Sequence, residues 1–165
     1  MKSLLMRKSI RKYTSQPVPE KIIKDLLHAA MSAPSAANQR PWHFIIVKER
    51  ATLDAIPEFH PYAGMLREAP LSIVVCSTTE LGPFKNYWVQ DCAAATQNIL
   101  TAAVENGLGA VWLGVYPLQD LQAVRDLLKI PDNIMPFSIV SIGYPAEQIE
   151  SGDRYDNSRV HYGNW

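Results

Sequence analysis

The stretch from Tyr87 to Val115, YWVQDCAAATQNILTAAVENGLGAVWLGV, decides how the rest of the chain is read. Residues 87–106 have the length and alanine content of a long helix. Gly107 supplies its stop, since glycine enters the left-handed conformation at little cost. Ala93, Ala94, Ala95, Ala102 and Ala103 are too many small residues for one apolar stripe, so this helix is expected to be approached on more than one side. Residues 110–115 (AVWLGV) then read as a strand. The order helix, glycine, strand is the reverse of a dinucleotide-binding turn, and GxGxxG would need a glycine where Trp112 stands. A helix stop feeding a strand accounts for Gly107 and Gly109. Gly114 is different, because a glycine inside a strand marks close approach of a ligand or another backbone.

Working outward, residues 19–31 read as a helix. Pro19 suits its first position, Ile22, Ile23, Leu26, Leu27 and Ala30 fall on one stripe, and Pro34 ends it. Residues 43–47 (HFIIV) and 71–76 (LSIVVC) read as strands, the second so continuously apolar that it belongs at the sheet centre. Residues 119–129 form a short helix with Leu121, Val124, Leu127 and Leu128 inward, and residues 137–142 (FSIVSI) a further strand. Helices separate most of the strands, which predicts an α/β-like or α+β domain, 1–165, around one mixed sheet. From Pro145 to Trp165 the chain is polar and irregular. Its anchors, Val160, Tyr162 and Trp165, cannot form a core alone and must lie on another surface, of this chain or of a partner.

Composition narrows the functional classes. The 165 residues are 47% hydrophobic, enough for a packed core. Sixteen Lys and Arg balance sixteen Asp and Glu, which gives no reason to expect nucleic acid or an anionic membrane as partner. Cys76 and Cys92 lack disulfide-framework or metal-site spacing and are expected as buried structural residues. No apolar run is long enough for a signal or membrane segment, so a reduced, cytoplasmic location is the expectation. No Ser-His-Asp set, HExxH or CxxC is present. His28 and His60 read as surface residues and His43 as structural.

Some segments carry chemistry. In RKSIR, an extended backbone places Arg7, Ser9 and Arg11 on one face, apart from Lys8 and Ile10. Two guanidinium forks flanking a hydroxyl suit a phosphate, although an ordinary basic surface gives the same pattern. The loop APSAANQRPWHF, residues 33–44, combines small residues with Asn38 and Gln39, whose amides can meet the edge of a heterocycle. A polar turn over a packed Trp42 is the plain alternative. In the tail, Arg159 and His161 alternate as Arg7 and Arg11 flank Ser9. Between strand and long helix, TTELGPFKN (78–86) is a loop that could line a substrate site with Phe84 and Tyr87, joined by Tyr62 or Tyr116.

Taken together, RKSxR, APSAxNxxPW, YWVQDCAAATQNIL, GLGAVWLGVYP and the terminal RYDxSRVH resemble the nitroreductase family in order and spacing, across Arg7 to Trp165. The resemblance implies an α+β, three-layer fold with a mixed central sheet flanked by helices. It implies an intertwined homodimer with FMN at the interface and residues 146–165 embracing the partner. It further implies ping-pong reduction of nitroaromatics, quinones or similar small acceptors by NADH or NADPH, with no metal and no protein nucleophile. Arg7, Lys8 and Ser9, with Arg159, would serve the FMN phosphate. Arg11 would face the N1–C2=O edge and tune the flavin. Pro34, Ser35, Ala36 and Asn38 would reach the flavin from the partner, and Gly114 and Val115 would set backbone against one of its faces. The order Gln39–Arg40 is the reverse of that in many relatives, which leaves position 40 unassigned. Other flavin redox chemistry, or a non-catalytic flavin-binding dimer, would use the same scaffold.

Overall fold

A computed structural model describes residues 2–116, 120–150 and 152–165. In chain order the elements are α1 (Lys2–Met6), α2 (Glu20–Met31), β1 (Trp42–Val47), α3 (Arg50–Ala55), β2 (Leu71–Thr78), α4 (Trp88–Glu105), β3 (Gly109–Gly114), α5 (Leu121–Leu128) and β4 (Ile134–Gly143). Short 3-10 turns lie at Ala36–Asn38, Ile56–Glu58, Gly64–Arg67, Gly82–Phe84 and Asn157–Arg159. The expected start of the fifth helix at Gln119 falls outside the described residues, as does the side chain of Phe84. No described helix is long and apolar enough to cross a membrane.

The strands form one four-stranded sheet in the order β1-β2-β4-β3. The apolar run of β2 does lie inside it, with all but its last residue buried. Side-chain alternation then divides this run between two cores. Leu71, Ile73 and Val75 face α2 and α4, where Leu26, Ala30, Cys92, Ala95, Ile99 and Ala103 meet them. Val74 and Cys76 face the other side, with Leu53, Ile56, Leu66, Val124 and Ile139. A sheet between two helical layers is the three-layer α+β arrangement expected. The mixed character of the sheet needs correction: every ladder is antiparallel, and parallel pairing among the described residues enters only through an isolated Ser9–Ala110 bridge. Helices between strands do not dictate strand direction here, because β1 and β2 are antiparallel neighbours despite α3 between them.

A bulge in β4 shapes the region near Gly114. Val75 pairs with Ser138 and Cys76 with Pro136, so Phe137 is an extra residue. The bulge turns Phe137 to the α4 side, against Trp88 (6.0 Å between ring centroids) and Trp112 (5.5 Å). Its carbonyl accepts the N–H groups of both Val115 and Tyr116, each at 3.1 Å.

Gly107, with φ of 70°, ends α4 as expected. Gly109 has a different reason from the helix stop assigned to it. A Cβ there would lie 2.6 Å from Cγ2 and 2.7 Å from Cβ of Ile10. The amino-terminal strap therefore crosses β3 where only glycine leaves room.

Candidate functional site

The strap from Arg7 to Tyr13 is extended, and its burial alternates. Lys8 and Ile10 are buried, Arg7 and Ser9 half-buried, and Arg11 exposed. Ile10 N–H donates to Ala110 O at 3.1 Å. The buried Tyr13 hydroxyl donates to Ile10 O at 2.6 Å and contacts Ser141 O at 3.2 Å. Glu147 Oε1 accepts the backbone N–H groups of Arg11 (2.6 Å) and Lys12 (3.2 Å). The strap is thus tied to β3, β4 and the start of the tail, with Arg7, Ser9 and Arg11 on its more open side. Lys8 points the other way. Burial, then the neighbouring charges of Arg154 and Arg7, push its amine below the usual lysine range. Arg154, which the sequence reading passed over, therefore joins a cationic cluster, and no ion pair to a carboxylate neutralises it among the described residues.

A cavity of about 670 Å³ opens where the strap meets the end of β3. Arg11, Trp112, Gly114, His60, Tyr62 and Glu147 are among its lining residues. Arg11 and Gly114, singled out separately in the sequence, come together here. Arg11 Nη1 reaches only Ser9 O, at 3.3 Å, so its guanidinium keeps free donors. Val115 is fully buried next to Gly114. Of the candidate substrate-lining aromatics, Tyr62 lies at this cavity, Tyr116 stacks edge-on against Trp88 at 4.7 Å, and Tyr87 is exposed.

His60 corrects the expectation of a surface residue, since only 1% of it is exposed. Its Nδ1 accepts the Tyr62 N–H at 3.3 Å, and its Nε2 lies 2.8 Å from Gly114 O. A histidine preceding Pro-Tyr gives no periodic signal of burial. His28 is exposed as expected, whereas His43 is exposed rather than structural.

Of the candidate cofactor-binding residues only Arg11 and Gly114 line this cavity; Arg7, Lys8 and Ser9 lie on the same strap as Arg11, Val115 follows Gly114, and neither the loop at Pro34–Asn38 nor Arg159 lines it. That loop is held in a costly shape: Ala37, Asn38 and Arg40 have φ of 49°, 56° and 50°. Left-handed non-glycine residues cost about 1–2 kcal/mol each and gather at functional sites. Ser35 Oγ accepts Arg40 N–H at 2.9 Å, Asn38 Oδ1 accepts from Arg40 Nε at 3.0 Å, and buried Asp91 of α4 accepts Ala36 N–H at 3.0 Å. Asp91 is a second residue that the sequence reading missed; an acid in the first turn of an amphipathic helix passes for ordinary dipole pairing. Pro34 is exposed and Ser35 half-buried.

The tail is open to solvent. Every described residue from Gln148 onward is exposed, and Trp165 entirely so. Arg159 pairs with Asp156 at 3.0 Å and is otherwise free. His161 and Trp165 stack at 4.1 Å between ring centroids.

Both the sequence and the fold match known proteins along the chain. The nitroreductase family model matches residues 4–60 and 58–144. A protein of Methanothermobacter thermautotrophicus named "Putative NADH dehydrogenase/NAD(P)H nitroreductase" is 48% identical over 166 residues, spanning 100% of this chain and 87% of its own length. A crystal structure of a protein of the same name from Parabacteroides distasonis is 44% identical with a TM-score of 0.95, covering 99% of this chain and 97% of that one. An FMN-dependent nitroreductase from Clostridium difficile gives a TM-score of 0.92 at 30% identity, covering 99% and 98%. Sequence and fold agree along nearly the whole chain, which belongs to the nitroreductase family.

Proposed function

We propose that this chain uses FMN to pass reducing equivalents from NADH or NADPH to nitroaromatics, quinones or similar small acceptors, in a ping-pong reaction within a homodimer. Its general part, FMN-dependent oxidation of NAD(P)H, is the chemistry that its relatives carry in their names. The cavity shared by Arg11 and Gly114 carries the reading. It has the size of a cofactor site, one backbone wall and two cations, Arg11 and Lys12, of which Arg11 keeps spare donors. The donor set also fits FMN. An unneutralised cluster of Arg7, Lys8 and Arg154 beside Ser9 suits a phosphate near two negative charges.

FMN supplies the hydride acceptor and donor, so the chain's residues need only bind, orient and tune it. Arg7 and Ser9 serve the phosphate, and Lys8, turned to the buried side of the strap, adds its charge from behind. Arg11 sets a positive charge at the N1–C2=O edge, and Gly114 and Val115 present backbone to one ring face. Pro34, Ser35, Ala36 and Asn38, in a strained loop, and Arg159, on the exposed tail, complete the site of the partner subunit. Residues 1–165 act as one domain whose tail, 146–165, crosses to the partner. Apolar surface on α1 (Leu4 54% and Leu5 69% exposed) and on the tail (Tyr162 86% exposed) supports such an assembly, being more than one chain's termini leave in water without a partner.

The test is the absorbance spectrum of the purified protein, followed by heat release of the flavin and anaerobic titration. FMN should be released, and NADH or NADPH should bleach the flavin band until a nitroaromatic or quinone restores it. FAD, or no flavin, would overturn the cofactor reading. Flavin that neither nucleotide bleaches would make the protein a non-catalytic flavin-binding dimer.

A further inference from the structure

We propose that His60 is the positioning residue of this site: through its Nε2–H it fixes the Gly114–Val115 peptide to the turn that carries Tyr62. The inference rests on the reading that this peptide faces FMN.

The ladder geometry shows why such a residue is needed. Val115 N–H reaches Phe137 O, so that pair exchanges bonds with β4. In an antiparallel ladder the preceding residue, paired with Ser138, then directs its carbonyl away from β4. Gly114 O therefore points out of the sheet at the β3 edge. Four residues earlier in the same strand, the outward carbonyl of Ala110 is taken by Ile10 N–H of the strap. At Gly114 the strap has moved off, and the donor is His60.

The ring has one consistent protonation pattern. Tyr62 N–H can only donate, so Nδ1 accepts and carries no proton. The proton is then on Nε2, aimed at Gly114 O at 2.8 Å. Full burial denies either nitrogen water as a substitute. One end of the Gly114–Val115 peptide is held by His60 and the other by Phe137 O, which sets the tilt of the peptide plane. The same ring sets the separation of that plane from Tyr62, whose ring meets the imidazole edge-on at 6.4 Å. His60 thus joins two walls of the cavity without needing to touch the reacting atoms.

Two measurements on the full-length protein test this. The long-range proton–nitrogen NMR spectrum of the His60 ring should show Nε2 protonated and Nδ1 bare at neutral pH, before and after FMN is added. In steady-state NADH oxidation, His60→Phe should lower kcat by about tenfold, the loss of one buried hydrogen bond, with a smaller change in KM. His60→Gln, which restores an N–H donor, should recover most of that loss. A proton on Nδ1, or a His60→Phe enzyme with unchanged kcat, would overturn the proposal. Should His60→Phe fail to fold, failure of the Gln variant to regain kcat over His60→Ala would overturn it equally. If the wild type takes up no FMN, the proposed function fails, and the ring spectrum still decides whether His60 ties Gly114 to the turn.

Discussion

Arg7–Arg11 and Ser158–Tyr162 both carry candidate phosphate-binding cations, yet the protein holds them in opposite ways. The amino-terminal strap is sewn to β3 and β4 through Ile10, Tyr13 and a glycine, Gly109, that leaves room for it. The carboxy-terminal tail is tied at Tyr144–Glu147 and then lies exposed to its end. The contrast separates what one chain builds from what it offers. The strap, the β3 edge and the His60 turn meet at one cavity within a single chain. The tail and the strained Pro34–Asn38 loop carry the remaining candidate groups and do not line that cavity in their own chain.

Removing the offered half should have the largest effect. A chain ending after Glu150 should lose the dimer and its FMN together, by light scattering and visible absorbance, while keeping the far-ultraviolet signature of its fold. A truncated chain that stays dimeric and yellow would show that the tail is no part of the site.

Damage to the built half should be graded. Gly109→Ala places a methyl group within 3 Å of Ile10, so it should destabilise the protein by about 1–3 kcal/mol in urea unfolding and weaken FMN binding by displacing the strap. Arg7→Ala should weaken FMN binding by about 1.5–3 kcal/mol, the range for a hydrogen bond to a charged group, and reduce its salt dependence. Arg11→Ala should lower the flavin reduction potential more than it lowers affinity. A potential equal to that of the wild type would assign Arg11 another task.

The smallest effect concerns the thiols behind the sheet. Burial pushes both Cys76 and Cys92 up to about 12 from the ordinary 9.0. Raised values mean that the folded state favours the neutral thiol. That contribution to stability is complete below pH 9.0 and is lost as pH rises towards about 12. Neither thiol should react with a disulfide reagent at pH 8 unless denaturant is added, and urea midpoints should fall through the alkaline range.

Much of this contrast could be read from the sequence where it rests on local periodicity. The stripe of α2, the stop at Gly107 and the buried run of β2 each follow from a few neighbouring residues. That the tail has no core of its own was legible from its few anchors, and its described residues do not fold back on the chain's own sheet. Features set by distant partners stayed hidden. The expected strand 137–142 is too short: β4 begins at Ile134 and includes Pro136, which lies beyond the β3 pairing that ends at Ser138. α1 and α3 are only five and six residues long, and α3 has no capping side chain to announce it. Gly109 looked like helix punctuation because Ile10 lies 99 positions earlier in sequence. His60 looked like a loop residue because its acceptor, Gly114, is 54 residues away. In the site, Arg11 and Gly114 were legible through their motifs, whereas Asp91, Arg154 and His60 act through contacts that no spacing encodes.

On the proposed reading, a complete cofactor site needs two chains. Sedimentation of the FMN-loaded protein, followed at 280 nm and at the flavin band across a dilution series, tests it most directly. The flavin signal should travel only with the dimer and appear as free FMN when dilution produces monomer. Flavin sedimenting with a monomer would contradict the shared site.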